Sequence, residues 1–188
     1  MYISKLFDLT LFETKYKQQV VELVAYSFIA FFVPFFIGHP QLLVGTVVNA
    51  TLIVSSLSLK RNFLLPVIFM PSIAVLSRGL IFGPFTIFLV YFVPFIWFGN
   101  FMLAMFFKGF YLKNKTNYFI TLLSGSFAKA FFLFMIALLF FKLNLIPKIF
   151  LVTMGTMQFT TAILGGIAAF AVIKSRERIS LLTETISR

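Results

Sequence analysis

Six apolar runs, each close to the length that crosses a bilayer, follow one another along this chain with short polar connections between them. A spanning helix needs about 20 mostly apolar residues, and in hydrocarbon only a helix or a closed barrel satisfies its own backbone hydrogen bonds. The runs cover about residues 19–37, 41–59, 63–80, 84–107, 118–141 and 147–173. Pro66 and Pro71 interrupt the third, and Pro94 lies inside the fourth. Proline also opens the fourth and sixth runs, where its missing N–H costs nothing. Of the 188 residues, 61% are hydrophobic and 29 are phenylalanine, and the mean hydropathy is +1.04. The expected fold is an all-α integral membrane bundle of six transmembrane helices in the cell membrane.

Charge supplies the expected orientation. Twelve of the sixteen basic residues fall in the segments before the first run, after the second, after the fourth and after the sixth. The opposite connections hold only Arg78, Lys142 and Lys148. This asymmetry follows the positive-inside rule and places both termini in the cytoplasm. An odd number of spans would break the alternation. The net charge of +11 would point to nucleic acid in a soluble chain. Here it reads as a basic face toward anionic lipid, with no nucleic-acid partner. The chain divides into a cytoplasmic interfacial segment at 1–18, the transmembrane domain at 19–173 and a basic cytoplasmic tail at 174–188. The first segment has no continuous apolar core and no cleavage site, so it is not a signal peptide. Ile3, Leu6, Phe7 and Leu11 fall at helical spacing. They predict a short amphipathic helix on the membrane surface, or one that docks a partner.

Polar residues at membrane depth are the informative ones. Lys129 lies in the fifth run with ten or more mostly apolar residues on each side. A cation there costs about 2.5–3.5 kcal/mol on insertion scales, so it should face the protein interior or a wet cavity. Asn49, Gln158 and Trp97 sit near the middle of their runs, and Asn100 somewhat toward the basic end. Two readings compete for the amides: hydrogen-bonded glue between helices, or the wall of a ligand cavity shared with Lys129. For Asn100, beside Gly99, glue is the preferred reading. No run holds a carboxylate at the depth of Lys129; Glu22 lies about 15 Å away along the bundle at 1.5 Å per residue. A cation without a protein partner suits an anionic or carboxylate-bearing ligand; the alternative is that Lys129 sits as a neutral amine. Arg78 reads as an interfacial anchor or as a collector of anions at a cavity mouth. Ala25 and Ala30 in the first run, and Gly165 and Gly166 in the sixth, permit close helix approach, either within the bundle or against another subunit.

Several chemistries lack their residues. There is no paired carboxylate, no Ser–His–Asp set, no His-Glu-x-x-His and no phosphate-cradling loop, so an enzyme is not expected. The chain has no cysteine and one histidine, His39, which argues against a metal or other cofactor. The runs carry no acidic relay residues and no clear inverted repeat, which disfavours a self-sufficient secondary transporter. What remains is a small binding or scaffolding membrane subunit.

At this point the chain resembles a known family. The residues that carry the likeness are Gly45-Thr46-Val47-Val48-Asn49-Ala50, Pro94-Phe95-Ile96-Trp97-Phe98-Gly99-Asn100 and Ser126-Phe127-Ala128-Lys129-Ala130 with the Phe-rich stretch after it. Together with six short-looped helices and a basic inner face, they resemble the compact S components of energy-coupling factor (ECF) transporters, over about residues 42–171. The resemblance implies a subunit that captures a vitamin-like or other small micronutrient in the outer half of the bundle. Trp97, Lys129, Gln158 and Asn49 would match the ligand-binding wall, with His39 in the covering loop. It further implies delivery by docking on a transmembrane T subunit driven by two ATPase subunits. That docking commonly uses alanines four apart on the first helix; Ala25 and Ala30 are five apart. Nickel and cobalt are disfavoured for want of histidines. The competing reading is a non-transporting structural or assembly subunit of a membrane complex.

Overall fold

The computed structural model of the chain describes residues 6–12, 14–37, 39–60, 63–79 and 86–186. Regular structure among them is helical throughout. In chain order the helices are α1 (Tyr16–Phe36), α2 (Gln41–Ser58), α3 (Leu64–Arg78), α4 (Thr86–Phe106), α5 (Tyr118–Lys142), α6 (Ile149–Met154) and α7 (Thr156–Ile186). A π-helical extension, Phe107–Lys113, continues α4. Five spans are long and apolar enough to cross a membrane: Tyr16–Ile37, Gln41–Ser58, Ile87–Lys113, Tyr118–Lys142 and Ile149–Ser180. The protein is a multi-pass membrane protein. Large apolar side chains such as Val21, Phe28, Phe98, Phe127 and Ile167 point outward on these spans, as lipid contact requires.

Two of the six expected spans differ in detail. The third is only 15 residues long, roughly 22 Å at 1.5 Å per residue, so it falls short of a full crossing. Pro66 sits in its first turn, where the N–H would be unpaired anyway, and Pro71 lies inside it. Gly79 closes it with a left-handed φ of 64°. Pro84, the proline that opens the fourth run, lies outside the described residues. The sixth span is two helices, α6 and α7, that meet at Gly155. A methyl at Gly155 would stand 2.8 Å from the Leu151 carbonyl oxygen and 2.9 Å from the Phe134 ring.

α2 is the most enclosed span: every residue from Thr51 to Leu59 is buried. It tolerates polar residues there because they satisfy themselves. Thr51, Ser55 and Ser56 return their hydroxyl protons to carbonyls three or four residues back, at 2.7–3.0 Å. α7 runs parallel to α2 in close contact. A methyl at Gly165 would meet the Ala50 nitrogen, the Asn49 Cβ and the Thr46 carbonyl oxygen, each at 2.7 Å. Gly166 takes the Leu122 side chain of α5 on its other side. These two glycines therefore pack helices within the bundle, and a docking face for another subunit does not run through them. On α1, Ala30 is buried and Ala25 is exposed.

The basic end departs most from expectation. Leu6 and Phe7 are helical, as expected, but residues 9–12 are not part of that helix. Leu9, Leu11 and Phe12 pack against a core cluster around Leu57, Phe107 and Ile173. The Leu11 N–H donates to the Leu57 carbonyl at 2.7 Å. Ile3 lies outside the described residues. Lys108, expected as a surface charge, is fully buried and donates to the carbonyls of Leu9 (2.6 Å) and Leu59 (2.9 Å). Arg176 pairs with Glu22 at 2.5 Å and lies over the Phe12 ring at 4.3 Å. Gln19 joins α1 to the end of α2 through the Ser58 carbonyl (2.8 Å) and the Lys60 N–H (3.0 Å).

The close approach of α2 and α7 can be tested. Gly165→Val should lower stability by about 1–3 kcal/mol, because two of the three atoms in its way are backbone. Ala168→Val, on the exposed side of the same helix, should change it by less than about 0.5 kcal/mol. Equal unfolding midpoints for the two variants in detergent would refute the packing described.

Candidate functional site

Lys129 is 2% exposed, at the point where α5 meets α2 and α4. Its ammonium donates to Asn49 Oδ1 at 2.7 Å and to Asn100 Oδ1 at 2.8 Å. The amides pass the connection on. Asn49 Nδ2 donates to the Gly45 carbonyl (2.9 Å) and to Thr161 Oγ1 on α7 (3.1 Å). Asn100 Nδ2 donates to the Ile68 carbonyl on α3 at 3.2 Å. One cation thus ties five helices together through two buried side-chain amides. Hydrogen bonds to a charged group contribute about 1.5–3 kcal/mol each, more than a neutral pair. The expectation that Lys129 lacks a protein partner is corrected: neutral amide oxygens serve where no carboxylate among the described residues is within reach.

A cavity of about 120 Å³ lies beside this network. It occupies the half of the bundle where α1 and α3 finish and α2 and α7 begin, away from the basic end. Lys129, Asn49, Asn100, Ser72, Thr153 and Thr161 supply its polar lining, with Val44, Val48, Val75, Leu89, Ile96 and Met154 among the apolar wall residues. Two prolines, Pro34 and Pro71, also line it. Gln41 and Gln158 line it too and are partly exposed, whereas Asn49, Asn100 and Lys129 are buried. The cavity therefore runs from a buried polar floor toward the ends of α2 and α7.

Of the expected ligand-binding residues, the structure brings Lys129, Asn49 and Gln158 to one cavity. Trp97 is not on its lining. The indole packs on Phe69 with ring centres 4.7 Å apart, and its Nε1 makes no hydrogen bond among the described residues. The reason is rotation: Ile96 and Asn100, four apart, share the cavity-facing side of α4, and residue 97 lies about 100° round the helix from 96. His39 is exposed and off the lining. Arg78 ties two helix ends together, donating to the Phe35 carbonyl of α1 at 2.9 Å. Asn100 is both the expected glue and a wall of the cavity. Ser72 went unnoticed in the sequence. Its hydroxyl is one of two in a short apolar run, and the only signal was its place directly after Pro71.

Comparison with family models, curated proteins and solved structures found no match.

Lys129→Met would strand two buried amide oxygens, each at a cost of about 1–3 kcal/mol, while sparing the burial of a charge. A double-mutant cycle on Lys129→Met and Asn100→Leu should return a coupling of about 1–2 kcal/mol in detergent unfolding. Coupling within error of zero would mean that the ammonium is not held as described.

Proposed function

We propose that this chain is the substrate-capture membrane subunit of an ECF-type importer, holding a small molecule in the Lys129 cavity and delivering it by docking on an ATP-driven module. The observation that carries the reading is a mostly apolar cavity with a few convergent polar groups, one of them a cation buried at membrane depth, in an otherwise apolar bundle. Intramembrane ionisable groups mark ligand and ion sites, and cavities of this composition are the usual ligand sites. The likeness of three helix motifs to S components adds the transport setting. With the basic end in the cytoplasm of the cell, the cavity lies in the outer half of the bundle. The partner would be a transmembrane T subunit with its ATPases. α1 is the least buried span, and its outward residues Val21, Val24, Ala25 and Phe28 form a face free to meet it.

Size narrows the ligand. An engineered cavity of about 150 Å³ takes up one benzene. At about 120 Å³ this site admits a molecule of that order without rearrangement, and a larger vitamin-like ligand requires its walls to move. The proline-containing helices α1 and α3 are the walls best suited to moving, since Pro34 and Pro71 each remove a backbone hydrogen bond beside the cavity.

A second reading, a non-transporting assembly subunit, draws on one specific observation. Lys129 already has two protein partners, so it can act as a cross-link with no ligand present.

Native mass spectrometry of gently solubilised protein separates the two. Wild type is expected to carry a small-molecule adduct, and Val75→Phe, which fills the cavity without touching the polar network, to lack it. No adduct on either protein would refute capture and favour the assembly reading.

A further inference from the structure

Resting on the capture reading, we propose that the cavity takes a small monocarboxylate, its head bound by the Lys129 ammonium and the Ser72 hydroxyl and its body set against Val44, Val48, Val75 and Leu89. Three independent features of the site lead there.

The first is charge. Lys129 is 2% exposed, and both of its hydrogen-bond partners are neutral amides. A buried cation among neutral dipoles favours one negative charge and repels an amine. A dianion would bring a second charge for which the site offers no second cation.

The second is the count of unused hydrogen-bonding groups. An ammonium has three N–H donors, and two are spent on Asn49 and Asn100. Ser72 Oγ lines the same cavity, Ser72 is 3% exposed, and the hydroxyl makes no hydrogen bond among the described residues. Such a buried hydroxyl calls for a partner. Asn100 links the two groups. Its oxygen accepts from Lys129, and its nitrogen donates to the Ile68 carbonyl, one turn before Ser72 on α3. Two donors against one amide match the two oxygens of a carboxylate. A tetrahedral phosphate or sulfate would be left with oxygens facing the valines.

The third is volume and wall. About 120 Å³, somewhat below a cavity that takes one benzene, suits a whole ligand of about six to nine non-hydrogen atoms, carboxylate included, which leaves a small body beyond the head. The surrounding valines and leucine ask that body to be apolar.

The test uses the full-length protein in lipid nanodiscs and titration calorimetry with benzoate, hexanoate, benzamide, benzylamine and palmitate. Benzoate or hexanoate should bind at least tenfold tighter than benzamide, and benzylamine should not bind. Ser72→Ala should weaken benzoate by about tenfold or more, the loss of one charge-assisted hydrogen bond. Its unfolding midpoint without ligand should stay at the wild-type value, because the hydroxyl has no hydrogen-bond partner among the described residues to lose. That pairing separates ligand contact from a structural role. Benzamide binding as well as benzoate would overturn the assignment, as would a Ser72→Ala variant that binds benzoate unchanged. Palmitate matching hexanoate would overturn the small-molecule class and make the site one for lipid-derived acids. If no probe binds while native mass spectrometry records an adduct of a neutral compound, the monocarboxylate is wrong and capture stands. If neither technique finds a ligand, both fall.

Discussion

One ammonium group organises this bundle. Lys129 cannot face lipid, and no carboxylate among the described residues lies within reach, so two helices must each bring an amide oxygen to it. Asn49 and Asn100 can do so only if α2 and α4 approach α5 at one depth. Their remaining N–H groups must then be satisfied in turn, by Gly45 and Thr161 on one side and Ile68 on the other. The cost of leaving any of these groups unpaired in a low-dielectric interior makes the set cooperative. The small residues follow from the same demand. Gly45 and Gly165 let α2 and α7 close to the distance at which Asn49 reaches Thr161.

The two halves of the bundle are built differently. The basic end is sealed by buried polar contacts: Lys108 on two carbonyls, Gln19 across α1 and α2, and residues 9–12 tucked against the core. The other half keeps a cavity. α3 is short, α1 and α3 carry prolines on the cavity wall, and the last span breaks at Gly155. Each of these keeps straight, fully packed helices from filling the space. A ligand that entered there would meet Lys129 at the floor and could go no deeper without opening the Lys129 network. Movement of such a ligand toward the basic end would therefore need the helices around that network to rearrange.

Much of the fold was legible because its signals are one-dimensional. Apolar runs of about 20 residues, punctuated by charge, mark spans without reference to what packs where. The third run was read as a full span because hydropathy does not register that a left-handed Gly79 ends the helix early. Lys129, Asn49 and Gln158 stood out because hydrocarbon excludes polar groups at their depth. Ser72 did not stand out, since hydroxyls in helices often satisfy themselves and carry little signal alone. Trp97 was drawn in by its rarity and its neighbours, yet one step along a helix turns a side chain by about 100°. Lys108 read as a surface charge because its position beside other lysines resembles a topology signal; only the folded chain shows the carbonyls that it meets.

The sequence by itself determined that this chain lives in a membrane, that it is helical, and that a cation must be hidden near the middle of its fifth span. Those conclusions follow from transfer free energies, which each residue carries with it. The tertiary structure alone decided which amides hold that cation, that the Ser72 hydroxyl beside them has no partner among the described residues, and where space remains there. Those are matters of helix rotation and close approach, and they depend on distances between residues as far apart as Asn49 and Lys129 rather than on any local run.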